Sequence, residues 1–312
     1  MCRLSRICAL VTVAALLASG CATTSNNLPL RPGTEAPPGQ DVKLAVYNVA
    51  FGAIVGGLGA VVNGRDGRPA RRFARGAGWG ALGGSLSYMG KWQAGAISEQ
   101  GTLVFGLPAR LVHDTGLSVI ENAAHQRPPF ERLATHVGVV RVDFQPGSGA
   151  LQARLLPFQT LVFGLLLADP DVDFLLTRSL FYGALLFSGD GRETAPITGG
   201  SSNGRAILGA VFVNRQDDEF YDTAAHELVH AFQAHQMTRV ETVFRLPLEQ
   251  SLAQSSGYRR LARWIYLDSP ALLGTAYYLI EGGNIDAPCK YNNWLEREAE
   301  AFASRRPVGL CR

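Results

Sequence analysis

Charge, net charge of either sign and an N-terminal apolar run of membrane-spanning length are all in short supply in this sequence, and each shortage removes a class of protein. Charged side chains make up 18% of the 312 residues and hydrophobic ones 47%. That balance excludes a disordered, self-repelling chain and is enough to bury a full core in one large or two smaller domains. Lys and Arg exceed Asp and Glu by only three, so no electrostatic footprint for nucleic acid exists. The apolar run Cys8 to Ala18 is too short for a comfortable transmembrane helix. No internal repeat occurs along the chain.

Acidic residues are absent from the first 20 positions, where Arg3 and Arg6 precede the apolar run. This is the n-region and h-region order of an export signal. The run ends in Leu17-Ala18-Ser19-Gly20-Cys21, which resembles a bacterial lipobox. In that pattern the cysteine is acylated and becomes the new N-terminus. Leu usually stands three residues before the cysteine; here Ala18 holds that place and Leu17 is one further back. The resemblance implies residues 1–21 as a lipoprotein signal, lipidation at Cys21 and a periplasmic location. Ala22 after the cysteine, rather than Asp, implies the outer membrane. An ordinary secretory signal is the alternative, and it exports the chain equally. Of the five cysteines, Cys289 and Cys311 then remain as an even pair in an oxidising compartment, able to form a disulfide.

Residues 22–41 are rich in Pro, Thr, Asn and Gly without apolar period, and read as an extended tether. Residues 42–130 form a glycine-rich helical region. Leu44 to Val62 and Gly76 to Gly90 are apolar and glycine-dense, and Arg65, Arg68, Arg71, Arg72 and Arg75 lie between them. This predicts a helical hairpin whose small residues bring two backbones close. Tyr47, Asn48 and Ser85 interrupt the apolar pattern, and the second stretch is too short to span a bilayer, so a hairpin buried in a globular domain is favoured over insertion. Gly116 to Gln126 reads as a helix.

Residues 131–312 read as an α+β region. Val137 to Phe144 and Leu151 to Leu155 alternate around Pro146-Gly147-Ser148-Gly149, a hairpin signal. Leu161 to Leu167 is ambiguous, Leu180 to Ser188 and Ala206 to Asn214 look like strands, and the chain from Asp222 onward is mostly helical. The expected fold is α+β: a glycine-rich helical hairpin, a central antiparallel sheet and a C-terminal helical zinc-binding region.

His226-Glu227-Leu228-Val229-His230 is an HExxH motif. On a helix the two imidazoles stand one turn apart on one face and can reach one metal. Glu227, one residue along, can take a proton from the activated water and pass it to a leaving amine. Asp222 or Thr223 is placed to cap the helix start. A catalytic zinc needs three protein ligands. The metzincin pattern fails, because Gln233 and Gln236 stand where Gly and His would be needed.

Further on, Glu296, Ala299, Glu300 and Ala303 share one face of a second helical segment. The two motifs together resemble those of gluzincins, the thermolysin-like zinc peptidases, and the second is most similar to the prenyl-protease-type branch. The resemblance covers the two motif helices alone. It implies Glu296 as third zinc ligand, Glu300 as the acid that orients a ligand histidine, and Ala299 as the small residue between the helices. Glu300 stands where the family usually has Asp, and Val229 where it often has Gly. Glu298 is a rival ligand two residues off the face. His235, Arg239, Tyr277, Tyr278 and Tyr291 are candidate transition-state donors.

The expected function is zinc-dependent peptide hydrolysis in envelope proteins. The alternatives are a non-catalytic lipoprotein whose zinc is closed by a fourth ligand such as His235 or a cysteine, a membrane-interacting module built on the hairpin, and hydrolysis of a non-peptide amide.

Overall fold

The computed structural model describes residues 40–65, 67–189, 204–215, 219–267 and 294–303. The signal, the tether up to residue 39, Cys21, Cys289, Cys311, Tyr277, Tyr278 and Tyr291 lie outside the described residues; the last two tether residues, Gln40 and Asp41, belong to the first helix.

The chain opens with two long antiparallel helices, α1 (Gln40–Asn63) and α2 (Pro69–Ala94). Glycine decides how closely they approach. A Cβ on Gly52 would sit 2.2 Å from the Gly80 carbonyl oxygen, and one on Gly80 would sit 2.1 Å from that of Gly52, so any larger residue would force the helices apart. Short α3 (Ala96–Gln100) and a 3-10 turn lead into α4 (Gly106–Ala124), which begins ten residues before the sequence pattern suggested. Helix α4 meets the other side of α2, where Gly83 faces the Gly116 carbonyl. By length and composition α1 and the 103–124 segment could each cross a membrane. Yet α4 carries Arg110, His113, Asp114 and Glu121 fully into the interior, and the hairpin is packed into the same body as the rest of the chain.

Strands β1 (Leu133–Val137), β2 (Val140–Gln145) and β3 (Ala150–Leu155) form an antiparallel sheet in that order. Then follow α5 (Pro157–Leu167), β4 (Val172–Phe174), α6 (Leu176–Tyr182), β5 (Leu185–Gly189), β6 (Gly204–Ile207) and β7 (Ala210–Asn214). The second sheet runs β4-β5-β7-β6, with β5 and β7 parallel and the other pairs antiparallel.

The α+β class therefore holds, with differences in detail. The expected single antiparallel sheet is two sheets, one of them mixed. Leu180 to Ser188 is not one strand, because a left-handed Gly183 (φ 76°) ends α6 before β5 begins. Ala206 to Asn214 is a hairpin folded at Leu208 and Gly209, both with positive φ.

Alternation along β5 and β7 gives the second sheet two apolar faces. Leu186, Val211 and Val213 face one cluster; Phe187, Ala210 and Phe212 face another, covered by Leu166 of α5. The first face packs on α7 (Phe220–Thr238), followed by α8 (Thr242–Leu252) and α9 (Ser256–Leu261). The last described helix, α10 (Trp294–Ala303), lies on α7 with Ala299 fully buried between them. That same core takes Leu44 from α1 and Ala94 from α2, so the glycine-rich hairpin and the motif helices share one interior.

Candidate metal centre

Helix α7 carries the HExxH. Its first turn starts at Phe220, earlier than the sequence suggests, so Asp222 lies inside that turn, where a carboxylate favours the helix dipole. Asp222 accepts a hydrogen bond from Ser98 of α3. Tyr182 fixes the same end by donating its hydroxyl to the Ala224 carbonyl at 2.6 Å. Leu228, Val229 and Phe232 anchor the helix in the core, which turns His226 and His230 toward α10.

There the structure brings together the three residues assigned as ligands. Ligand atoms of His226, His230 and Glu296 all lie within 4.8 Å of one another, the one such group of His, Cys, Asp and Glu among the described residues. The two Nε2 atoms are 2.9 Å apart. Glu296 Oε2 is 3.3 Å from His226 Nε2 and Oε1 is 3.3 Å from His230 Nε2. Ligands of a tetrahedral zinc with bonds near 2.0 Å stand about 3.3 Å apart, so the spacing suits that ion.

The outer nitrogens show how the site could hold a cation. His226 Nδ1 faces Glu300 Oε2 at 3.4 Å, and His230 Nδ1 faces Gln233 Oε1 at 2.8 Å. Both partners are acceptors, so both Nδ1 atoms carry the proton. With both Nε2 atoms deprotonated, two lone pairs and a carboxylate would point at one another, an arrangement that a positive charge between them, a proton or a metal ion, relieves. Burial alone would lower the His226 pKa, but hydrogen bonds to Glu296 and Glu300 outweigh it and raise it to about 10. Burial would raise Glu296, and hydrogen bonds from the two histidines hold it well below the usual range instead. The donor set fits zinc: two imidazoles and one carboxylate, with a position left over.

Glu227 is buried beside this group, its pKa raised first by desolvation and opposed by His230 and His226. Gly204, the first residue of β6, comes so close that a Cβ there would lie 2.8 Å from Glu227 Cγ. β6 is the end strand of its sheet, so among the described residues an open strand edge begins beside Glu227. The Ala206–Asn214 segment, one strand by its sequence pattern, supplies part of that edge in β6 and, one strand further in, β7.

Other candidates go elsewhere. His235 lies half a turn round α7 from His226, 2.8 Å from both an Arg110 nitrogen and His136 Nδ1, and so is no fourth ligand. Arg239 is held by Glu121 at 2.8 Å and is no transition-state donor. Glu298, the rival ligand, is fully buried and ion-paired with Lys91 at 2.8 Å. Gln233, Lys91 and Asn48 escape sequence reasoning as parts of the site. Gln233 had a signal, its position three residues after His230 on the same face. Asn48 and Lys91 had none beyond being polar in apolar helices. No family model, curated protein or solved structure matches this chain.

Proposed function

We propose that the protein is a zinc-dependent hydrolase of peptide bonds, with zinc held by His226, His230 and Glu296 and with Glu227 as general base and acid. The single observation that carries this reading is the convergence of three acceptor atoms, two of them with their protonation pattern dictated by Glu300 and Gln233. When bound there, zinc supplies Lewis acidity, activating water near neutral pH and polarising a carbonyl. Glu227 takes the proton of the attacking water and delivers it to the departing amine. The β6 edge gives an extended peptide a strand to pair with, main chain to main chain, across the general base. That favours a peptide over an isolated small amide as the substrate.

The two motif helices are similar to those of gluzincins, which suits the same chemistry. The export signal and Cys21 locate the activity, in this reading, in the bacterial envelope, lipid-anchored at the outer membrane and facing the periplasm. Substrates are then unfolded or exposed segments of envelope proteins.

Zinc per chain, read by elemental mass spectrometry on the purified protein, tests the proposal. Wild type is expected to hold about one zinc and a folded Glu296→Ala variant to lose it on brief dialysis, because catalytic zinc needs its third ligand. Hydrolysis of an unfolded protein substrate should fall about 100- to 10,000-fold in Glu227→Gln with zinc retained. A wild type that takes up no zinc on reconstitution sinks the reading. Zinc retained without hydrolysis above the Glu227→Gln level would leave a stabilising site.

A further inference from the structure

Gln233 does more than touch His230. Its amide nitrogen donates to the Leu295 carbonyl at 2.9 Å and to Glu298 Oε2 at 2.8 Å. A carbonyl and an ionised carboxylate only accept, so the NH2 end is fixed toward α10 and Oε1 must face the imidazole. An amide oxygen cannot donate. His230 Nδ1 therefore carries the proton, and in the neutral ring, the form that binds a metal, Nε2 is the nitrogen with the lone pair.

Glu298 is itself held from the other half of the chain. Lys91 of α2 donates to Oε2 at 2.8 Å, and Asn48 of α1 donates to Oε1 at 2.7 Å. Lys91 also donates to Asn48 Oδ1 at 3.0 Å, and Asn48 to the Leu44 carbonyl at 2.9 Å. Asn48, Lys91 and Glu298 are each 0% exposed. Such a fully buried ion pair is a poor stabiliser, since desolvation offsets most of the attraction and an apolar pair would serve the fold as well. Orienting the Gln233 amide gives the pair a use that an apolar pair could not supply.

We propose that Gln233 is a positioning residue for His230, locked by a Lys91–Glu298–Asn48 group that the glycine-rich hairpin completes, so that His230 presents Nε2 to the metal. This rests on the zinc reading above. It gives the hairpin a part in the metal site: Asn48 and Lys91 stand on the two helices whose close approach the glycines permit.

The test uses the purified protein loaded with zinc, or with cobalt(II) as a spectroscopic replacement. Gln233→Met preserves length and removes the acceptor. Gln233→Met should lose about 10- to 100-fold in zinc affinity by chelator competition, the range for removing a partner of a ligand histidine. Its cobalt d–d bands should shift. Imidazole nitrogen NMR of the zinc-loaded wild type should show His230 protonated at Nδ1. If Gln233→Met does not fold, the double variant Lys91→Met, Glu298→Gln reads the same claim. The amide introduced at position 298 can turn its own NH2 to Gln233, which frees the Gln233 amide to flip, and the cobalt bands should change with the fold retained. Unchanged affinity and bands in a folded Gln233→Met, or unchanged bands in the double variant, overturn the positioning role and leave zinc binding intact. A wild type without zinc takes both down.

Discussion

Helix α7 contributes to two histidine pairs that look alike as rings and sit among opposite charges. His226 and His230 lie 4.6 Å apart at 74°, His136 and His235 4.2 Å apart at 82°. Each pair has a nitrogen contact of 2.9 or 2.8 Å. The first pair is faced by Glu296 and Glu300, and His226 is drawn up to about 10. The second is faced by Arg110 and Arg239, with Asp114 already held by Arg110 at 2.8 Å. Burial and then Arg110 push His235 down to about 4, and burial and then His235 push His136 well below its ordinary value. Neighbouring charge, and not the imidazole pair, decides whether a histidine cluster calls for a cation or stays neutral.

The sharpest way to break this contrast is Arg110→Met. It leaves the Asp114 carboxylate buried without its guanidinium, a change that typically costs about 3–5 kcal/mol. We expect a large fall in denaturation midpoint and a rise in the His235 pKa by imidazole NMR, as Asp114 turns to that ring. A His235 that still titrates near 4 in a folded variant would contradict the account.

Next comes pH. His113, His125, His136 and His235 are all held below the ordinary histidine value, first by burial. The unfolded chain binds these protons near 6.5, whereas in the folded chain His125 and His235 resist until about 4. Stability is therefore intact above 6.5 and is lost as pH falls from 6.5 toward 4. The groups facing His235 are Arg110, Asp114, His136 and Arg239. For His235 alone the loss is on the order of 3 kcal/mol at the acid end. Urea unfolding from pH 7 to 4.5 should show the decline, and His235→Asn should flatten part of it. A flat profile in wild type would remove the neutral pair from the account.

The smallest effect sharpens the other pair. Glu300→Ala removes the acceptor at His226 Nδ1 and should weaken zinc retention about 10- to 100-fold without loss of fold. Chelator competition with unchanged affinity would mean that Glu300 does not orient His226.

Much of the site is legible in the sequence, for a reason that lies in helix geometry. A period of 3.6 places His226 beside His230 and Glu296 on the face of Glu300, so local spacing is enough to pick out the candidates, while the choice of Glu296 over Glu298 rests on the resemblance of the second motif. The same logic locates the glycine hairpin, since glycines recurring every four residues mark a contact stripe. Strands are harder to read. Leu180 to Ser188 is largely apolar and gives no period to separate the end of α6 from β5. Ala206 to Asn214 hides its turn because Leu208, a residue that rarely adopts φ near 46°, stands at the corner beside Gly209.

The sequence by itself determined the chemistry available: two imidazoles one turn apart, acids on a second helix, and small residues where helices must approach. Tertiary structure alone decided which acids meet which rings. Glu296, Glu298 and Glu300 lie within five residues of one another, yet the first faces the histidine pair, the second is sealed against Lys91 and the third backs His226. That sorting depends on partners up to 250 residues away in the chain, as Asn48 is from Glu298. No local pattern encodes such a distance, because contacts between remote segments are set by how whole helices pack.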